Sequence, residues 1–135
     1  MEQDKISRHF TRSELACPCC GRLGMDKHKN KEFLTRLEEL RYIFGRPMRI
    51  SSGYRCPAHN SAVSHTGSSG PHTTGLAVDV LVAGTDAYDL VLLALQAGWT
   101  GIGVSQRGPW NKRFVHLDLL PLSAEDHPRP RLWSY

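Results

Sequence analysis

The chain has 135 residues, 40% of them apolar and 22% charged, and its 17 basic and 13 acidic side chains leave a net charge of +4. This composition is typical of a globular protein, and we expect residues 1–135 to form a single, monomeric domain. No stretch approaches the roughly 18 consecutive apolar residues of a membrane-spanning helix, so no membrane partner is expected. The basic residues are scattered and accompany no recognition motif, which argues against a nucleic-acid partner.

The first half of the chain alternates polar segments with short elements. Residues 1–12 are polar and are expected to be loose until they dock. Apolar residues recur at three- and four-residue steps from 31 to 44, which predicts a helix that ends at Gly45. The next predicted elements are a strand at 48–51, a helix at 57–63 and a loop at 64–71.

The second half begins with an apolar run of strand length at 76–82. A second long helix is predicted for residues 85–97, with Thr85 as its N-cap and Gly98 as its stop. Its apolar face is predicted to include Tyr88, Val91, Leu92 and Leu95.

Two further strands are predicted near 101–104 and 114–119. The tail, 121–135, is expected to wrap over the domain, because Trp133 and Tyr135 can anchor it in a groove. Substrate binding is the alternative role of these two aromatic residues. These elements predict an α+β fold, a small and mainly antiparallel sheet with helices packed on one side.

Two polar residues interrupt apolar strands. Asp79 lies in the middle of the 76–82 run, and His116 lies in the middle of the last predicted strand, where it shares a face with Asp118. A buried carboxylate loses several kcal/mol of hydration unless a positive partner holds it. We therefore expect Asp79 to pair with an arginine, with backbone N–H groups or with a metal ion, and the strand alone does not decide among them.

His72 precedes the first of these strands by a few residues, and Gly75 allows the chain to turn between them. A loop histidine, a strand aspartate and a strand histidine can meet at one end of a sheet. Two nitrogens and one oxygen would then fill three corners of a zinc tetrahedron and leave the fourth for water. Satisfied core histidines remain the alternative.

The chain contains three ordered motifs, Ser52-Gly53-Tyr54-Arg55, His72-x-x-Gly75-x-Ala77-x-Asp79 and His116-x-Asp118. They resemble those of the D-alanyl-D-alanine carboxypeptidase family of zinc peptidases, whose fold also occurs in vancomycin-resistance D,D-peptidases, phage endolysins and the hedgehog signalling domain. The resemblance covers roughly residues 10–120 and is greatest to short phage or prophage members.

The resemblance implies a zinc ion bound by His72, Asp79 and His116, with Arg55 pointing into the site. An arginine there would polarise the scissile carbonyl or bind a substrate carboxylate. A structural ion pair is the alternative for Arg55. Further substrate contacts are expected from Ser52, Tyr54 and Ser69, although Gly70 occupies the position where relatives commonly have serine.

The proton acceptor does not follow from the resemblance. Relatives carry a carboxylate three residues before the last zinc histidine, and Arg113 occupies that position here. Arginine cannot act as a base at neutral pH. Asp118 is the replacement candidate, and orienting His116 is its alternative role. His65 and the 106–113 loop are further candidates.

The resemblance predicts zinc-dependent hydrolysis of peptide bonds in bacterial peptidoglycan, by a D,D-carboxypeptidase or an endopeptidase. Because residues 1–5 begin no apolar segment, we expect synthesis in the cytoplasm without a signal peptide and release to the cell wall by another route. The alternative is a non-catalytic zinc-containing binding or assembly module of the same fold.

The chain also contains four cysteines, Cys17, Cys19, Cys20 and Cys56. Reduced and partly buried thiols are expected. A second metal site, a cross-link through Cys56 or a nucleic-acid-binding zinc module are the alternatives. Within the first three cysteines, the pair 17 and 20 alone has the usual two-residue spacing of zinc ligands.

Overall fold

The computed structural model describes residues 4–24 and 27–135, and the side chains of all of these except 27–30. The elements are four helices, α1 (Arg12–Leu15), α2 (Lys27–Phe44), α3 (Pro57–Val63) and α4 (Gly84–Gln96), and five strands, β1 (Arg49–Ser52), β2 (Ala77–Leu81), β3 (Gly101–Ser105), β4 (Phe114–Asp118) and β5 (Arg131–Ser134). Within these residues, no helix has both the length and the apolar character required to cross a membrane.

The strands form one sheet in the order β1-β2-β4-β3-β5. Every neighbouring pair is antiparallel except β3 and β5, which run parallel. The predicted α+β fold with a mainly antiparallel sheet is therefore confirmed. β5 was not predicted, and it adds the tail to one edge of the sheet.

The sheet has one apolar face, which packs against α2 and α4. Side chains alternate along a strand, so Val78 and Val80 of β2 and Val115 and Leu117 of β4 lie on this face. They join helix residues in one hydrophobic core, which includes Phe33, Leu37, Leu40, Phe44, Leu90 and Ala94. The opposite face consequently receives the polar residues of the same strands.

α4 differs from the sequence prediction in two respects. Its N-cap is Ala83, and Thr85 lies within the helix, because Gln106 accepts a hydrogen bond from the Gly84 N–H through Oε1 and so satisfies the start of the helix. The buried face consists of Ala87, Leu90 and Ala94.

The predicted apolar face of α4 was wrong for three of its residues. Tyr88, Leu92 and Leu95 are 74%, 47% and 52% exposed. Apolar residues surround most of this helix, so their spacing fits more than one face. The buried face contains two small alanines, which let the helix axis approach the sheet closely. A prediction from the spacing of large apolar side chains does not identify such a face. Gly98 has a φ of 86° and ends the helix as predicted.

Candidate metal centre

Asp79 and His116 face each other on neighbouring strands. They are direct partners in the β2–β4 register, and both project from the sheet face opposite the hydrophobic core. Both side chains are buried, with residue exposures of 7% and 2%. The antiparallel register therefore brings together two residues that lie far apart in the chain.

His72 completes the group from a 3-10 turn, Pro71–Thr74, that leads into β2. Gly75 ends this turn with a left-handed φ of 77°, which a side chain would strain. The His72 Nδ1–H donates to the Gly53 carbonyl at 2.7 Å, so the Nε2 atom is directed at Asp79 Oδ1, 3.2 Å away. A backbone carbonyl thus sets the orientation of this ring.

His116 is oriented in the same manner from the other side. Its Nε2–H donates to Asp118 Oδ2 at 2.7 Å, and its Nδ1 lies 3.1 Å from Asp79 Oδ1. Each histidine therefore donates a hydrogen bond from one ring nitrogen to a fixed partner and directs the other nitrogen at Asp79 Oδ1. A neutral imidazole would present a lone pair there, which a carboxylate repels unless a proton or a cation lies between them.

These three residues fit a zinc ion. One ligand atom from each of His72, Asp79 and His116 lies within 4.8 Å of the other two. Two imidazole nitrogens and one carboxylate oxygen are common zinc donors, and a three-residue set leaves a position open. The outer ring nitrogen of each histidine donates to a buried backbone carbonyl or carboxylate, and such partners orient histidine ligands in metal sites.

The pKa values reflect the same concentration of charge. Desolvation would raise the pKa of Asp79, but hydrogen bonds and Coulomb attraction from His116 and His72 hold it well below its usual range. Desolvation would lower the pKa of His116, but the carboxylates of Asp118 and Asp79 outweigh this effect, so the pKa is raised. The site therefore holds an ionised carboxylate and attracts positive charge.

Asp118 lies behind His116, where it is fully buried. Arg129 binds it with two hydrogen bonds, from Nε to Oδ1 at 2.9 Å and from Nη2 to Oδ2 at 2.7 Å, and the Leu120 N–H also donates to Oδ1. Desolvation would raise the pKa of Asp118, but hydrogen bonds from His116 and Arg129 lower it to about 2. These contacts favour the orienting role of Asp118 over that of a general base.

Arg55 lies at the edge of the metal group. Its Nη2 is 3.5 Å from Asp79 Oδ2, its Nε donates to the Ser52 hydroxyl at 3.1 Å, and its Nη1 donates to Asn60 Oδ1 at 3.2 Å. Its backbone N–H donates to the His72 carbonyl at 3.1 Å. Ser52 thus contacts the guanidinium and holds it beside the candidate ligands.

A cavity of about 660 Å³ opens over these residues, with Arg55, His72, Asp79 and His116 in its wall. The tail supplies much of the remaining wall, through His127, Arg129, Arg131, Trp133 and Tyr135. The Trp133 ring lies 5.1 Å from the His116 ring, centroid to centroid. The two aromatic residues were predicted as anchors of the tail, but the three basic ones were not predicted, because no periodicity links them to the candidate ligands.

A family model described as peptidase M15 matches residues 8–118. The chain belongs to the peptidase M15 family. This family comprises the zinc D-Ala-D-Ala carboxypeptidases, as the resemblance implied, and membership supports a zinc-dependent metallopeptidase that acts on peptides. Comparison with curated proteins produced no match.

None of the three side chains expected as further substrate contacts, Ser52, Tyr54 and Ser69, lines the cavity. Tyr54 points towards Gly24 and the cysteines, and burial, followed by the charges of those cysteines, raises its pKa. Ser69 is exposed, and its backbone carbonyl accepts a hydrogen bond from His127 Nε2 at 2.7 Å. Contacts of these three residues with a substrate stay a prediction, and Ser69 holds a histidine of the cavity wall.

Arg113 also lies outside the cavity of this M15 peptidase. Its Nε donates to the Gly108 carbonyl at 3.1 Å, and its guanidinium stacks over Trp110 at 5.1 Å. Among the described residues that line the cavity, Asp79 is the sole carboxylate, while His65 and His127 are the imidazoles outside the ligand group. Apart from Asp79, the described cavity lining thus offers imidazoles and no carboxylate side chain that could accept a proton.

Proposed function

We propose that the protein is a zinc-dependent D,D-carboxypeptidase that cleaves the terminal residue from peptidoglycan stem peptides, with zinc bound by His72, Asp79 and His116. The observation that carries this proposal is the convergence of these ligands beneath a cavity that also contains Arg55. Peptidoglycan endopeptidase activity, which cleaves within a cross-link, is the related possibility that the experiment below distinguishes.

Zinc at this position would supply Lewis acidity, which polarises a carbonyl and activates water. Arg55 is placed to stabilise negative charge on the carbonyl oxygen, because its guanidinium adjoins Asp79 and is held by Ser52 and Asn60. This arrangement fixes the donor before the substrate arrives, which is what electrostatic catalysis requires.

Basic residues of the tail favour a substrate with a free carboxylate. Arg131 is exposed, lines the cavity and lies over the Trp133 ring at 5.5 Å, so it can bind an anion without leaving a buried partner. Arg129 is unsuited to this role, since Asp118 occupies its guanidinium. A terminal carboxylate bound by Arg131 would direct the adjacent peptide bond towards the ligands.

His127 is our candidate for the proton acceptor. Its Nε2–H donates to the Ser69 carbonyl at 2.7 Å, which leaves the lone pair on Nδ1. It is half-buried, whereas the other imidazole of the wall, His65, is exposed. A histidine with a fixed tautomer is a suitable general base near neutral pH.

The decisive experiment incubates zinc-loaded protein with muropeptides that end in D-Ala-D-Ala, with matched peptides that end in D-Ala-L-Ala, and with cross-linked dimers. Mass spectrometry should show loss of one D-alanine from the first substrate alone, abolished by a chelator and restored by zinc. His72→Ala serves as the control for metal dependence.

Cleavage of the dimers without release of terminal D-alanine would identify an endopeptidase instead. The absence of carboxylates other than Asp79 among the described cavity residues favours a second candidate, a non-catalytic zinc module. Folded, zinc-loaded protein that cleaves none of these substrates would support that module. We further propose that the enzyme acts on the cell wall after release by another route, which fractionation of producing cells would test.

A further inference from the structure

Three cysteines form a second group of potential metal ligands outside the proposed active site. The Sγ atoms of Cys17, Cys20 and Cys56 lie within 4.8 Å of one another. All three thiols are free, Cys17 is buried, and the fourth cysteine, Cys19, is exposed. Nothing in the proposed hydrolysis uses this group.

The first two cysteines are held by a tight turn. The Gly21 N–H donates to the Cys17 carbonyl at 2.7 Å, and the Cys17 N–H donates to the Arg22 carbonyl at 2.9 Å. Gly21 has a left-handed φ of 72°, which closes the turn. The backbone therefore presents the sulfurs of Cys17 and Cys20 together and leaves Cys19 outside.

Cys56 approaches them from the start of α3, where it is the N-cap. Its N–H donates to the Cys17 sulfur at 3.3 Å, and its own sulfur accepts from the His59 N–H at 3.5 Å. Hydrogen bonds of this kind stabilise a thiolate, the form in which cysteine binds metal.

The sequence repeats one pattern at both places, Cys17-Pro18-Cys19-Cys20 and Cys56-Pro57-Ala58-His59. Each is a pair of zinc-binding residue types separated by two others, and three cysteines with one histidine form a common structural zinc site. His59 occupies the third position of α3, from which a side chain can reach back to the N-cap, as it does in a capping box. In the structure His59 stands outside the group of three sulfurs, so its side chain would have to rotate to supply the fourth ligand.

We propose that Cys17, Cys20, Cys56 and His59 form a second, structural zinc site. Desolvation would raise the pKa of the Cys17 thiol, but backbone N–H groups of Cys56, Cys20 and Cys19 outweigh it and lower that pKa to about 7.

The site would join two segments on which the active site depends. The Tyr54 N–H donates to the Leu15 carbonyl at 2.8 Å, and a Cβ on Gly53 would lie 2.5 Å from that same oxygen, so residues 53–56 already press against the segment that precedes Cys17. The Gly53 carbonyl orients His72, and Arg55 directly precedes Cys56. A zinc ion on the cysteines would therefore stiffen the loop that positions both residues.

The test measures bound zinc per chain by mass spectrometry after purification under reducing conditions. We expect about two ions in the wild type and in Cys19→Ser, the matched control, but about one in Cys20→Ser and in His72→Ala. His59→Ala should lower zinc affinity at the cysteines at least tenfold. Circular dichroism verifies that each variant is folded.

A second measurement needs no cysteine variant. His72→Ala loaded with Co²⁺ should show thiolate-to-cobalt charge-transfer absorption, and zinc should protect three thiols, but not Cys19, from maleimide. Equal zinc content in Cys20→Ser and Cys19→Ser, or three unprotected thiols in the presence of zinc, would overturn the proposal. Unchanged zinc affinity in His59→Ala would overturn the assignment of the fourth ligand. These readouts do not depend on peptidase activity, so either proposal can fail alone.

Discussion

His116 is held between two carboxylates, with Nε2 2.7 Å from Asp118 Oδ2 and Nδ1 3.1 Å from Asp79 Oδ1. Asp118 is in turn bound by Arg129, a residue of the tail. The orientation of His116, a candidate ligand on a central strand, thus depends on a tail residue that lies eleven positions beyond Asp118.

Asp118→Asn should weaken zinc binding by roughly 10–100-fold, because the amide no longer presents a full charge to the His116 N–H. It also leaves the buried Arg129 guanidinium uncompensated, a loss of about 3–5 kcal/mol of stability. Chelator competition and urea unfolding measure the two effects. Asp126→Asn, at an exposed position of the tail, is the matched control. Wild-type affinity in Asp118→Asn would contradict the orienting role.

Arg55→Ala should reduce kcat by roughly 10²–10³-fold, the usual loss when one donor to a developing negative charge is removed. Zinc content should remain at the wild-type level, because Arg55 contacts Asp79 without being a ligand. Steady-state kinetics on a D-Ala-D-Ala peptide, with metal analysis of the same sample, separates these effects. Arg49→Ala, on the exposed side of β1, should leave kcat unchanged. Loss of zinc together with activity would show that Arg55 serves the metal site instead.

His127→Ala should lower kcat by roughly 10²–10⁴-fold, because the proposed base is lost. The comparison is with His65→Ala, since His65 lines the same cavity but is exposed, and its kcat should stay at the wild-type level in steady-state kinetics. Wild-type kcat in His127→Ala, with a loss in His65→Ala, would transfer the role to His65.

Gly103→Ala should destabilise the fold by about 1–3 kcal/mol through overpacking. A Cβ at this position would lie 2.5 Å from Nε1 of Trp133, its partner in the β3–β5 register. In a Trp133→Ala background the same substitution should cost little, since the indole is gone. A double-mutant cycle by urea unfolding provides the test, and additive effects would show that the two residues do not compete for space.

Glu38→Gln should destabilise the protein by about 1 kcal/mol at pH 7 and by less at pH 3. Burial would raise the pKa of Glu38, but hydrogen bonds from His9 and Ser7 outweigh it and lower that pKa below the ordinary 4.5. A group with a lowered folded pKa stabilises the protein above its unfolded pKa, and this stability is lost as pH falls through the folded value. Urea unfolding at both pH values, with the exposed Glu39→Gln as control, measures the difference.

Most elements of the fold follow from local patterns. The helix predicted for residues 57–63 coincides with α3, and the strands containing Asp79 and His116 lie where their apolar runs predicted. β5 was missed because Arg131–Ser134 has no apolar alternation, and it pairs through its backbone with the β3 edge. Pairing of this kind is decided by tertiary contacts, to which strand propensity is only a weak guide.

The candidate metal ligands could be predicted from the sequence because polar residues in apolar strands are costly and need a partner. The contact of Arg129 with Asp118 could not, since Arg129 lies in a long and irregular segment. The direction of Tyr54 could not be predicted either, because the motif that contains Arg55 places neighbouring side chains on different sides of the loop. A shared motif therefore identified the loop but not the direction of every residue in it.

The outer wall of the cavity and its floor belong to different parts of the chain. The floor is built from the paired central strands, whereas Arg131 and Trp133 come from the edge strand β5 and Tyr135 follows it directly. Exchanging residues 131–135 for a different sequence should alter which peptides enter, while His127 and Arg129 are retained and the candidate ligands stay in register. Selectivity should accordingly be open to laboratory evolution confined to residues 131–135.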